Sequence, residues 1–346
     1  MNYVIVGAGA IGGVIGAYLV KGGHHVTFVD KDKAHVLKMR KEGLCIKGQS
    51  DSFTVPVKVF INEEFKTQSE PIDKVLLCVK AHHTVDAVNS FKHRLHDDSY
   101  VVSFQNGLCE LEIANLIGKE RTIGCFVNLF ADYLEPGIIN YGGIGSVYIG
   151  ELDGTNTARV RELAHDLSVW GNTRVIYNIF GYLWSKLAYG AILTATALTN
   201  ETIADLIESD YHRNMLLDLA SEVLQIAHHK GIKPEGFDDW EPSIVYPRGM
   251  RDEEKINQSL YVLVKRLRSY TKTRTGIWRD LAVRKRKTEV PQHLNPVIEM
   301  GEQAGFNMIL LKALLSMIIE IENGERELSL QNLAQLHSLH QQKLDV

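Results

Sequence analysis

Gly7, Ala8, Gly9, Ala10, Ile11 and Gly12 form a GxGxxG run directly after the apolar segment Tyr3-Val4-Ile5-Val6. A helical stretch from about Ala10 to Lys21 follows, and Gly22-Gly23 stops it. Between a strand and a helix, this spacing suits a dinucleotide. The first glycine permits the tight turn, the second lets a pyrophosphate approach the backbone, and the third lets helix and strand pack closely. The free N–H groups at the helix start then face the phosphates. Asp30 ends the second strand, His25 to Val29, about twenty residues on, where a carboxylate suits the 2′-hydroxyl of an adenosine ribose. That favours NAD. Lys31 and Lys33 follow at once and could instead neutralise the 2′-phosphate of NADP.

The remaining candidates gain meaning together. Val79-Lys80-Ala81 and Gln105-Asn106-Gly107 each follow a predicted strand, at the carboxyl edge where doubly wound sheets bind ligands. Singly, Lys80 reads as a surface lysine and Asn106-Gly107 as a turn. Trp184-Ser185-Lys186-Leu187-Ala188 places a lysine in an otherwise apolar helix, where the plain reading is that it snorkels to the surface. Thr288-Glu289-Val290 follows the basic run Arg284 to Lys287, most simply a solvated face. The pairs His24-His25, His82-His83 and His228-His229 have no metal-ligand spacing, so no metal is expected. Trp184, Trp240 and Trp278 read as core or cleft residues.

These residues need elements to hold them. Strands are expected at His25–Val29, Val75–Val79 and Tyr100–Phe104, with helices near Asp32 to Glu42 and Thr84 to Leu95. Leu44 to Val59 alternates like exposed strands. Short strands at 122–127, 137–141 and 146–149, separated by Gly and Pro turns, suggest an antiparallel extension. A helix at Thr157–Trp170 and a strand at Thr173–Tyr177 close this half. Beyond Asn178 the pattern is helical over 183–199, 202–230, 254–268, 295–304 and 310–323. Pro234 to Arg251 reads as a surface loop, over a cleft or at an oligomer contact. The fold class is therefore an α/β Rossmann-type N-terminal domain (1–177) plus an all-α C-terminal domain (178–346), the latter for substrate and dimerisation.

Composition narrows the class. The 346 residues are 45% hydrophobic and 23% charged, as in a soluble globular protein, and the net charge of −4 gives no reason to expect nucleic acid or an anionic membrane. Cys45, Cys78, Cys109 and Cys125 lack CxxC spacing, and no apolar run reaches the length of a membrane span. The chain opens on a strand without a basic leader. A cytoplasmic protein is expected.

GAGAIG at 7–12, VKA at 79–81, QNG at 105–107, WSKLA at 184–188 and KTEV at 287–290 together resemble the ketopantoate reductase (2-dehydropantoate 2-reductase) family across nearly the whole chain. The resemblance implies a Rossmann domain followed by a helical domain, with the active site in the cleft. It makes Lys186 the catalytic lysine and Glu289 the active-site glutamate. Asn106 would place nicotinamide and substrate, Lys80 would lie on the cofactor side, and Lys31 would stand where many members carry an arginine for the 2′-phosphate. Asp30 departs from that pattern. So do Gly190 and Thr194, where typical members carry asparagines, and Gly276 beside Thr275, where a serine is expected. The interval from Asp280 to Glu289 is also one residue longer. The lost polar groups are ones the family uses to hold pantoate.

The expected reaction is therefore reduction of a small-molecule 2-oxo acid by NADP(H) or NAD(H), with Asp30 favouring NAD. Two substrates compete: 2-dehydropantoate, the family activity in pantothenate biosynthesis, and another branched or aromatic 2-oxo acid. A non-catalytic dinucleotide-binding regulator is the alternative of another class, and a homodimer is one expected assembly.

Overall fold

The computed structural model describes residues 2–48, 52–270 and 272–344. Contacts divide the chain into a unit of residues 1–179 and a unit of residues 180–346. In the first, the strands are β1 (Asn2–Val6), β2 (His25–Asp30), β3 (Leu44–Gly48), β4 (Ser52–Val55), β5 (Lys58–Ile61), β6 (Ile72–Leu77), β7 (Leu95–Ser103), β8 (Thr122–Glu135), β9 (Ile138–Glu151) and β10 (Thr173–Val175). Among them lie helices α1 (Ala10–Lys21), α2 (Lys33–Glu42), α3 (Asn62–Lys66), α4 (Thr84–Phe91), α5 (Cys109–Ile117) and α6 (Ala158–Leu167). One sheet takes all ten strands, in the order β4-β3-β9-β8-β7-β6-β1-β2-β5, with β10 also on β9.

The stretch β5-β2-β1-β6-β7-β8 is wholly parallel. Its strands are near-continuous apolar runs because helices cover both faces. Side chains of α1 and α6 (Val14, Ile15, Leu19, Val160, Leu163, Leu167) join one buried cluster. Those of α3, α4 and α5 (Phe65, Val88, Phe91, Ile113) join the other. The chain winds one way from β1 through β2 to β5 and the other way from β6 to β8. The crossover thus falls between β1 and β6, the place where such sheets bind nucleotides.

Three expectations change. β5 is a parallel member of the core sheet, beside β2, with Val59 buried, and not an exposed strand. The separate short strands expected over 122–149 are two long antiparallel strands, β8 and β9, with register shifts at 129/131 and 133/135. Gly145 is a close approach and not a turn residue: a Cβ there would lie 2.4 Å from the Asn128 carbonyl oxygen. The helix expected to Leu95 ends at Phe91, and β7 already starts at Leu95.

The second unit is helical: α7 (Ile179–Thr196, its first residue in the first unit), α8 (Ile203–Glu208), α9 (Asp210–His229), α10 (Glu253–Ser269), the single turn α11 (Gly276–Trp278), a π-turn at Arg279–Val283, α12 (Val290–Gln303), α13 (Ile309–Glu322) and α14 (Leu330–Leu344). The helix expected over 202–230 is broken at Ser209. α12 begins at Val290, five residues earlier than expected, because Pro291 sits in the first turn, where no N–H is needed. α14 was not anticipated. It is anchored by polar contacts: His340 Nε2 lies 2.7 Å from Asp218 Oδ2, and Lys343 Nζ donates to Glu222 Oε1 at 2.7 Å. Glu222 also accepts the N–H groups of Leu310 and Leu311 at the start of α13.

The segment 234–251 is not simply a surface loop. Phe237, Trp240 and Val245 are buried, the Trp240 indole N–H donates to Ser185 Oγ at 3.1 Å, and its ring lies 5.4 Å from that of Tyr189. It packs on α7. Among the described residues no helix is long and apolar enough to cross a membrane, and no group of His, Cys, Asp or Glu could hold a metal ion.

Candidate functional site

The glycine loop is shaped by close approach. Gly7 has φ +99°, and a Cβ there would lie 2.8 Å from the Cys78 carbonyl carbon and the Val79 nitrogen, so the loop touches the end of β6 at the crossover. A Cβ at Gly12 would lie 2.1 Å from the Gly7 carbonyl oxygen. Gly9 differs: its φ is −70° and a Cβ would meet nothing within 4 Å. Neither backbone strain nor internal packing explains that glycine. Open space at the start of a twelve-residue helix fits a phosphate-bearing ligand against the backbone.

The flanking residues hold this loop. The Ala8 N–H donates to Asp30 Oδ2 at 2.7 Å, and the Asp32 N–H to Asp30 Oδ1 at 2.9 Å. Each carboxylate oxygen keeps a lone-pair direction for a ribose hydroxyl. Asp32 then caps α2, accepting from Ala34 and His35. Buried His35 touches the Ala8 carbonyl through Nε2 at 2.9 Å. Lys31, exposed, has its ammonium 2.7 Å from His83 Nε2 at the start of α4.

The other two carboxyl-edge loops are tied together. Gln105, 4% exposed, donates from Nε2 to the Val79 carbonyl (2.9 Å) and the Thr84 hydroxyl (2.8 Å). Lys80 is half-buried between these two acceptors in sequence, and Asn106 is exposed. Gly7 to Gly12, Asp30, Lys80 and Asn106 therefore share one edge of the sheet, the carboxyl edge.

In the helical unit, Lys186, Gly190 and Thr194 follow at four-residue spacing on one face of α7. Lys186 is half-buried in a helix whose neighbouring residues Ser185, Leu187 and Ala188 are buried. A Cβ at Gly190 would meet nothing within 4 Å, and Thr194 donates its hydroxyl to the Gly190 carbonyl at 2.8 Å. That hydroxyl is spent on the helix itself. Thr275 likewise spends its oxygen capping the Trp278 N–H, and Gly276 borders open space. Asn200, just past α7, takes the Trp278 indole N–H and, through its carbonyl, Arg274. The end of α7 and the 274–278 turn are thereby joined.

Glu289 stands at the N-cap position of α12 without capping it. Its neighbour Thr288 does the anchoring: the N–H and hydroxyl of Thr288 both donate to Glu322 Oε1, and Thr288 Oγ1 accepts the Val290 N–H. The basic run before it is partly structural, since Arg284 and Arg286 pair with buried Asp280. His35, Asn200 and Glu322 escaped the sequence reading; each is a single polar residue whose partners are distant in sequence. Gln105 carried a signal as the first residue of QNG, and Trp240, read as core or cleft, is buried.

Two family models, both described as ketopantoate reductase PanE/ApbA, match residues 3–154 and, as its C-terminal part, 178–322. The 2-dehydropantoate 2-reductase of Pyrococcus horikoshii is 29% identical over 67% of this chain and 75% of its own length. That of Archaeoglobus fulgidus is 24% identical over 92% and 97%. Among solved structures, D-mandelate dehydrogenase with NADH and anilino(oxo)acetate superposes with a TM-score of 0.80 at 19% identity, covering 94% of this chain and all of that one. A PanE/ApbA family ketopantoate reductase from Ralstonia eutropha gives 0.76 at 23%, over 94% and 99%.

Proposed function

Since the chain belongs to the ketopantoate reductase family, we propose that it reduces a 2-oxo acid to the 2-hydroxy acid. Membership makes it an NAD(P)-dependent oxidoreductase. The observation that carries the proposal is, in the first unit, an open glycine loop at the sheet crossover; the second unit separately carries a half-buried Lys186 on a buried helix.

The reduced nicotinamide, when bound, supplies hydride to the ketone carbon. The Gly9 region and the start of α1 hold its phosphates, and Asp30 accepts from the ribose. Lys186 stabilises negative charge on the carbonyl oxygen and gives it a proton. Glu289, held in place through Thr288 and Glu322, orients a substrate or ribose hydroxyl, and Asn106 places the reacting groups.

A bulkier substrate than 2-dehydropantoate is favoured by one set of observations. Gly190 and Gly276 both border open space, Thr194 donates its hydroxyl to the Gly190 carbonyl, and the Thr275 oxygen accepts the Trp278 N–H. Room at two positions that carry no side chain suits a branched or aromatic 2-oxo acid. Asp30 likewise favours NADH, because its carboxylate would repel a 2′-phosphate; Lys31 is the counterweight. Oxidation of NADH and NADPH against 2-oxo acids running from 2-dehydropantoate to aromatic ones tests all of this. Turnover with the aromatic acids and NADH is the expected result. No turnover with any acid would leave the non-catalytic reading.

A further inference from the structure

Ala8 is held on both of its peptide planes. Its N–H donates to Asp30 Oδ2, and its carbonyl oxygen receives a hydrogen bond from His35 Nε2 at 2.9 Å. The other ring nitrogen, His35 Nδ1, accepts the backbone N–H of Gly137 at 2.8 Å, in the turn joining β8 to β9. A carbonyl can only accept and an amide N–H can only donate. These partners fix a single state for His35: the neutral imidazole with its proton on Nε2.

The ring is 1% exposed and lies edge-on to Tyr133, 5.0 Å between centroids, whose hydroxyl donates to Asp32 Oδ2 at 3.1 Å. The titratable and charged groups around it are Asp30 and Asp32 from the β2–α2 junction, Tyr133 from β8, and Lys38 one turn further along α2, whose stem lies beside Gly137. The glycine loop brings none. In a trans peptide the C=O and N–H point in opposite directions. Drawing the Ala8 carbonyl onto His35 therefore turns the Gly9 N–H away from it, at the one loop glycine that borders open space.

We propose that His35 is a positioning residue for dinucleotide binding: held neutral between Ala8 and Gly137, it aims the Gly9 N–H, and its protonation releases the loop. A second proton would sit on Nδ1 and face the Gly137 N–H, setting two donors against each other. Proton binding at His35 and dinucleotide binding thus oppose one another. This rests on the dinucleotide reading of the glycine loop.

The test is a fluorescence titration of NADH, with the full chain and its His35→Gln and His35→Asn variants, at pH 8 and pH 5.5. Glutamine can reach the Ala8 carbonyl with an amide N–H and does not titrate. Asparagine offers an acceptor near the Nδ1 position but falls short of Ala8. Wild type is expected to lose roughly fivefold more affinity on acidification than His35→Gln, which binds within about threefold of wild type at pH 8. His35→Asn is expected to bind roughly tenfold more weakly at pH 8, about the worth of one hydrogen bond. Thermal melts at both pH values separate loss of the loop geometry from loss of the fold. Equal pH dependence in wild type and His35→Gln, or wild-type affinity in His35→Asn, overturns the proposal. Failure of wild type to bind NADH or NADPH at pH 8 would instead overturn the dinucleotide reading itself.

Discussion

Lys186 and the glycine four residues beyond it make opposite demands on a substrate. In the proposed reaction the lysine meets an oxygen that gains charge, whereas Gly190 offers only room. Lys186→Ala should lower turnover about 10²–10⁴-fold, the usual worth of a general acid, while NADH binding measured by fluorescence stays within a factor of two or so. Unaltered turnover would remove Lys186 from the mechanism. Because a Cβ at Gly190 or Gly276 meets nothing within 4 Å, Gly190→Asn with Gly276→Ser should fold normally. The double variant should shift kcat/KM toward hydroxylated 2-oxo acids and away from aromatic ones. Thr194→Val should change substrate KM little, since the hydroxyl already serves the Gly190 carbonyl. A large KM change would mean that it turns to the substrate.

At the level of elements, what could be read from the chain was what depends on near neighbours. The β1–α1–β2 start, with its strand–glycine–helix order, is resolved by local apolar runs and turn residues, and α1 spans Ala10–Lys21 as expected. What escaped depends on partners far along the chain. Gly145 looks like a turn residue until the Asn128 carbonyl is seen beside it, and Trp240, read as core or cleft, gives no sign in sequence that its indole meets Ser185. The same holds for the site: GAGAIG announces itself, but nothing near His35 in sequence tells that Gly137 lies across from it. The 234–251 segment supports the helix that carries Lys186. Trp240→Phe keeps most of the buried area but leaves the buried Ser185 hydroxyl without its donor, and should cost about 1–2 kcal/mol in urea unfolding. A change below a few tenths would show that this contact is incidental.

For the molecule as a whole, Asp218 is a buried charge on which the stability of the helical unit depends. Burial works against its ionised form, but the His340 hydrogen bond and the Arg251 and Arg248 guanidinium groups outweigh it and hold its pKa below the usual carboxylate value. A carboxyl whose pKa is lowered in the folded state contributes stability above its unfolded pKa, and that contribution is lost as pH falls through the folded value. Stability of the helical unit should therefore decline below about pH 4. Asp218→Asn should be less stable at pH 7 by roughly 3 kcal/mol, because Arg251 loses its buried counter-charge, and the gap to wild type should narrow in acid. A gap that stays constant with pH would remove Asp218 as its source.

The sheet order has a consequence in time. β3 lies at the far side from β2, and its Cys45 to Gly48 pair with Ile138 to Tyr141, some ninety residues later. At ordinary rates of translation, roughly 5–20 residues per second, the apolar Leu44 and Ile46 wait about 5–20 seconds for the strand that will cover their edge. During synthesis the nascent chain thus carries a sticky, unfinished border, with only β4 beside it. Ribosome-bound chains halted before residue 138 should recruit chaperones, and chains released beyond the β9 codons should not.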